Sequence, residues 1–412
     1  MNLKMRFCIV GVAALALLLP RPAQAVWTFS SVRSYGATGN GTTDDTAAIN
    51  QAIAAGGVVY FPPGNYKYVG SMTLPPNTSY RIYGDGPGVS TILFTGNPNS
   101  GIYGPAMGTN TLNVDSLTLK ANSYNCGTAI TASFSESAAK FRTAEIHNVQ
   151  IIGSTRDGLT GFYWTNGIYL TKAQDSVIDN VEMSGNAQDQ DHNPQGPPSQ
   201  TGIVWTSSST YATRGVHLSS LEIKYFNTAL QTSGWVEGLY LNKFELAFCG
   251  RMNMPNLPVV DLTVNAPGGA QKPTFHLVNG HIQGLSAGVR FTNLTGVKMS
   301  KVMFAHNTAA GPGSIVEVNN CTDVVVSQCS FVGNGLNYPL FPENGILLTN
   351  ANSVRIAGND FNLMNAPATG GTGSCIVVQP NCNVVRIVNN LFGTVGQKYD
   401  DPGMIAYKWG NN

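Results

Sequence analysis

From residue 112 onward one eight-residue pattern recurs ten times: two alternating apolar positions, two polar or small ones, then two more alternating apolar positions. It reads LNVDSLTL, AEIHNVQI, SVIDNVEM, VHLSSLEI, LYLNKFEL, FHLVNGHI, VKMSKVMF, VVVSQCSF, VRIAGNDF and VRIVNNLF. Apolar spacing of two belongs to a strand, whose side chains alternate between faces; a helical repeat would show spacings of three and four. The last apolar residues of successive units lie between 22 residues (Ile282 to Phe304) and 40 residues (Met183 to Ile223) apart. Even the shortest interval holds three short strands and three turns, so each unit is one coil of a stacked solenoid.

A further strand precedes most units: GIYLT at 167, GIVWT at 202, VVDLT at 259, GVRFT at 288, IVEVN at 315, GILLT at 345 and CIVVQ at 375. The expected fold is all-β, a right-handed parallel β-helix of about ten coils over residues 112–392. Ile146, Ile178, Leu218, Leu241, Leu277, Met299, Val326, Ile356 and Ile387 should form an inward column. Asn148, Asn180, Ser220 and Asn279 suit the tight turns and can bond from coil to coil. Before the coils, GTTDDTAAINQAIAAGG predicts a helix over Thr43–Ala55, with Asp44 or Asp45 as N-cap and Gly56-Gly57 as its stop. It is expected to cap the open end of the solenoid, where an apolar end and unpaired strand edges invite association.

Residues 1–25 read as a signal peptide: Lys4 and Arg6 precede an apolar run from Phe7 to Leu19, and Ala23-Gln24-Ala25 is a small-x-small cleavage pattern. Residues 26–111 form a capping segment continuous with the coils of 112–412. The expected location is secreted or periplasmic. No later stretch approaches the roughly 20 apolar residues of a membrane helix, so no membrane partner is expected after cleavage. With 23 Lys+Arg against 22 Asp+Glu and only 11% charged residues, the chain offers no basic stripe for nucleic acid. Past the signal remain Cys126, Cys249, Cys321, Cys329, Cys375 and Cys382. Their spacing fits no zinc pattern, and most are expected unbridged, Cys375 and Cys382 being the one plausible local pair.

The stretches VRSYGATGNGTTDDTAAINQAI (32–53), VVYFPPGNY (58–66) and YGDGPGVSTILF (83–94) resemble the N-terminal signature of the pectate lyase superfamily, in its rhamnogalacturonase and epimerase-like branch. The resemblance implies a β-helix used on polysaccharides by hydrolases, lyases, epimerases and phage tailspikes, and it makes Asp44 and Asp45 architectural. It transfers no catalytic set. Asp-Asp pairs occur only at 44–45 and 400–401, Gly-His-Gly and Tyr-Gly-Phe-Asp-Pro-His runs are absent, and the Arg-Ile pairs at 81, 355 and 386 lack a following Lys.

Alternation in the first strand of each coil gives an outward column of Tyr169, Val204, Gln231, Asp261, Arg290, Glu317, Leu347 and Val377. In the resembled enzymes this sheet commonly forms the substrate groove. Asp261 and Glu317, two coils of about 4.8 Å apart, could approach the spacing of an inverting acid/base pair, with Arg290 binding an acidic sugar. Otherwise the three form a surface ion ladder that spaces the coils. A second column, Gln150, Glu182, Glu222, Glu245 and His281, reads as a solvated acidic stripe or, less simply, a cation site. The loop at 185–200 carries Asp189, Asp191 and His192, and the loop before it Arg156, Asp157, Tyr163 and Trp164. With Tyr169 and Gln231 these are candidates for substrate binding, the aromatic rings as sugar platforms.

Three functions fit: a hydrolase using Asp261 and Glu317; a β-eliminating lyase with Arg290 as base and calcium held by Asp261 and Glu317; or a non-catalytic glycan-binding or structural solenoid. A polysaccharide, most simply a uronate-containing one, is the expected partner. Oligomeric state has no signature in the sequence.

Overall fold

A computed structural model describes residues 29–400 and 405–409, apart from 97, 137–141, 154–160, 187–199, 209, 251–256, 267–273, 285–286, 307–313, 333–343, 363–373, 394 and 396. The chain is a right-handed parallel β-helix. One sheet of twelve strands and one of twenty run along it, paired in parallel from coil to coil.

The polar pair inside each repeat has a conformational cause. The fifth residue of every unit, Ser116, Asn148, Asn180, Ser220, Lys243, Asn279, Lys301, Gln328, Gly358 and Asn389, has a left-handed backbone with φ between 52° and 66°. That single residue swings the strand from one face of the coil to the next. Thr213–Lys224 and Val236–Cys249 pass through it unbroken, whereas further along the bend separates Thr322–Ser327 from Ser330–Val332. The twenty-stranded sheet therefore wraps two faces and the twelve-stranded sheet supplies the third. Asn tolerates this conformation better than most residues, and its amide also links coils: Asn180 Nδ2 donates to Asn148 Oδ1 at 3.0 Å, and Asn350 Nδ2 to Asn320 Oδ1 at 2.9 Å.

The repeat register holds throughout. Leu119, Ile151, Met183, Ile223, Leu246, Ile282, Phe304, Phe331, Phe361 and Phe392 are Cα partners in succession. The column from Ile146 to Ile387 lies inside, none of its nine members more than 1% exposed. Four phenylalanines stack along the interior, Phe304 on Phe331, Phe361 and Phe392, with centroids 5.0, 4.6 and 5.1 Å apart.

At the N-terminus the helix α1 is shorter than expected, Thr46–Ala54, because residues Asn40–Asp44 form a strand paired with Gly64–Val69. Ile49, Ala52 and Ile53 are buried. Asp45 stands at the N-cap position without capping: its buried carboxylate accepts the Thr38 N–H at 2.7 Å and the Gly39 N–H at 3.1 Å, tying down the loop before the strand. Asp44 Oδ1 accepts the Thr46 N–H. Both acids are thus architectural. No helix among the described residues is long and apolar enough to cross a membrane. Cys126, Cys249, Cys321, Cys329, Cys375 and Cys382 are all buried and unbridged.

Candidate functional site

The outward column on the twelve-stranded sheet is a continuous line of Cα partners: Tyr169, Val204, Gln231, Asp261, Arg290, Glu317, Leu347 and Val377. It also extends beyond the expected start, through Thr131, Tyr103 and Thr73. The inward neighbours Val260/Leu262, Val289/Phe291 and Val316/Val318 are buried to within 1%, which forces the three charged residues outward. Arg290 Nε donates to Glu317 Oε2 at 2.8 Å, and its Nη1 lies 4.0 Å from Asp261 Oδ2. Thr263 Oγ1 donates to the other oxygen of Asp261 at 3.1 Å. All three side chains are half-buried, with about a fifth to a quarter of their surface exposed.

A parallel row of hydroxyl and amide groups flanks the charges two residues further along each strand. Thr263, Thr292, Asn319 and Thr349 are register partners there, and Thr171, Thr206 and Ser233 occupy the equivalent places in earlier coils. The threonine that ends GIYLT, GIVWT, VVDLT, GVRFT and GILLT was its signal in the sequence. Such a surface can hydrogen-bond a hydroxylated chain along its length while Arg290 supplies the one fixed positive charge at the centre of the ladder.

Calcium does not fit between Asp261 and Glu317. The Arg290 guanidinium already occupies the space their charges share, and among the described residues no group of three or more His, Cys, Asp or Glu side chains could hold a metal ion. The same holds for the acidic column on another face. There Gln150, Glu182, Glu222, Glu245 and His281 are successive register partners, and repulsion is relieved by neighbours: Gln150 Nε2 donates to Glu182 at 2.9 Å and Lys224 pairs with Glu222. Glu222, and behind it Glu245, hold the Lys224 ammonium above its ordinary pKa.

Trp164 is not a platform. It is fully buried, set edge-on to Phe94 at 5.6 Å, and its indole N–H donates to the Ile152 carbonyl at 3.1 Å. A large ring whose one polar group finds a carbonyl partner gains more from the core than from the surface. Tyr169 and Gln231 are half-buried on the sheet face as expected. Asp189, Asp191 and His192 lie outside the described residues, as do Arg156 and Asp157.

Residues 29–233 match the family described as Rhamnogalacturonase A/epimerase, pectate lyase-like. The chain belongs to the pectate lyase superfamily. Among solved structures this pectate-lyase-like β-helix is similar in fold to the A-module of a mannuronan C-5 epimerase from Azotobacter vinelandii, at a TM-score of 0.61 and 15% identity, covering 93% of this chain and 98% of that one. It is also similar to the catalytic unit of a thermostable alpha-1,3-glucanase from Streptomyces thermodiastaticus, at 0.54 and 12% identity, covering 95% and 69%. By sequence it is 29% identical over 177 residues to the pre-neck appendage protein of Bacillus phage phi29, covering 39% of this chain. It spans only 20% of the length of that curated relative.

Proposed function

We propose that this chain is exported and acts on an acidic, uronate-containing polysaccharide laid along the outer face of the twelve-stranded sheet. The observation that carries the reading is Arg290, held half-buried between Asp261 and Glu317 at the middle of a hydroxyl-flanked column. A guanidinium held against Glu317 on this face presents a planar fork, which suits a sugar carboxylate as an ammonium does not. The fold shared with an alpha-1,3-glucanase and a mannuronan epimerase supports a polysaccharide as the partner.

The reaction is hydrolysis. Asp261 and Glu317 stand two rungs apart, about 10 Å at the backbone, and turning toward one bound sugar brings two carboxyl groups into the range of an inverting pair. One gives its proton to the glycosidic oxygen as the bond to the anomeric carbon breaks; the other takes a proton from the water that attacks that carbon. A calcium-dependent elimination has no donor set among the described residues. One observation favours a second reading, a non-catalytic glycan-binding β-helix: both carboxylates already have partners, Arg290 and Thr263, so the ladder can serve as a static anchor.

The test is incubation with a panel of uronate polymers, following reducing ends and ultraviolet absorbance. Reducing ends without absorbance, lost in Arg290→Ala and in Glu317→Gln, are expected. An unsaturated product would refute hydrolysis; binding with no new ends would establish the second reading. Full activity in Arg290→Ala would move the site elsewhere, first to the segment that carries Asp189, Asp191 and His192.

A further inference from the structure

At the N-terminal end of the same sheet face lies a cleft of about 410 Å³. Thr73, Tyr103 and Thr131 cross it on three successive rungs of the column that contains Arg290. Thr128, Asn99 and Ser100 line it as well, and none of its described lining residues is charged. Tyr103 is 41% exposed, one of the few large aromatic residues open to solvent among the described residues. Ser100 is 6% exposed, yet its Oγ has no hydrogen-bond partner among the described residues. Two close backbone approaches lie beside the cleft. Gly127 and Gly101 have φ of 86° and 102°, and a Cβ on either would run into the carbonyl of Pro98 or of Thr128.

The composition of this cleft selects its ligand. Among the described lining residues an anion would find no cation and a cation no carboxylate. A wholly apolar molecule would leave four or more hydroxyl and amide groups covered and unpaired, which costs free energy at each one. A neutral pyranose satisfies both parts of the wall, since its apolar face can lie on Tyr103 while its hydroxyls meet the threonine, serine and asparagine groups. We infer that the cleft is a subsite for uncharged sugar units. Thr131 lies five rungs from Arg290 along the column, through Tyr169, Val204, Gln231 and Asp261. Five rungs of about 4.8 Å each make about 24 Å. A rung is close to the length of one sugar unit, so one extended chain can place a neutral stretch in the cleft and an acidic unit at Arg290. The substrate class is then a heteropolysaccharide carrying both. This rests on the proposed reading of the face for the second end of the chain only.

Saturation-transfer NMR and calorimetry with neutral hexasaccharides (of glucose, mannose, galactose and xylose) and with a hexauronate separate the two ends. Transfer to at least one neutral hexasaccharide is expected. Tyr103→Ala should weaken it about tenfold or more, Thr131→Trp, which fills the cleft, should abolish it, and Arg290→Ala should leave it unchanged. Circular dichroism checks that each variant is folded. No transfer to any neutral sugar, or binding that survives both Tyr103→Ala and Thr131→Trp, would overturn the inference. Hexauronate binding indifferent to Arg290→Ala would instead overturn the reading of the charged ladder and leave the cleft standing.

Discussion

Arg290 is tied to Glu317, one rung further on, by an Nε to Oε2 hydrogen bond of 2.8 Å, while its contact with Asp261 on the other side reaches only 4.0 Å. The ladder is asymmetric, and its two carboxylates are not equivalent as anchors. Because each side chain keeps some contact with water, the pair is worth about 1 kcal/mol at most, roughly 1–2 °C for a chain of this length. Glu317→Gln should therefore lower the melting temperature slightly, Asp261→Asn should change it less, and both differences should shrink in high salt. A calorimetric loss of ten degrees would make the ladder a pillar of the fold rather than a site.

The interior column is where stability resides. Ile356 is fully buried, so Ile356→Asp places an unpaired charge in the core and should prevent soluble expression or cost more than about 4 kcal/mol. Phe331→Ala, which opens the middle of the phenylalanine stack, should cost about 3–5 kcal/mol in denaturant titration. Leu391, half exposed, is the control: Leu391→Gln should stay within about 0.5 kcal/mol of the parent.

The thiols should be chemically silent until the chain unfolds. Burial pushes Cys249 and Cys375 up to about 12 and Cys329 to about 11, so none forms the reactive thiolate near neutral pH. A thiol reagent at pH 8 should label none of the six buried cysteines in the native protein and all of them in denaturant. Intact-mass analysis showing disulfide bridges would contradict this.

His276 should titrate below its ordinary value of 6.5, since burial and then the neighbouring Lys298 disfavour its charged form. The unfolded chain then takes up a proton at a pH where the folded one does not. Its contribution is neutral above pH about 6.5 and becomes destabilising as pH falls from there to the folded value. NMR titration should show His276 below a solvated histidine, and Lys298→Gln should raise it.

The register of the coils was readable because the third and eighth positions are apolar in all ten units and the bend always falls on the fifth residue, where Asn, Ser, Lys, Gln and Gly share only a tolerance for the left-handed turn. Asp261, Arg290 and Glu317 were readable for the same reason: a charge between two valine-class neighbours has one direction to point. Trp164 was not, because it follows a loop where alternation has no phase, and a tryptophan there serves core or surface equally well. Tyr103 went unseen because GIYGPAMG, with its glycines and proline, does not read as a strand, although it pairs with the strands on either side. The helix boundary shifted because Thr42 to Asp44 serve a strand first, a choice made by Gly64–Val69 and not by local propensity.

The left-handed fifth residue also governs how such a chain can change length. Since every coil enters and leaves through the same turn in the same register, a whole coil can be duplicated or deleted without disturbing the hydrogen bonding of those that remain. A point substitution alters what one rung offers, but only gain or loss of a coil between Thr131 and Arg290 alters the distance between them. Along this lineage, the size of ligand spanned should vary in whole steps of one rung, as a ratchet does, and never by fractions.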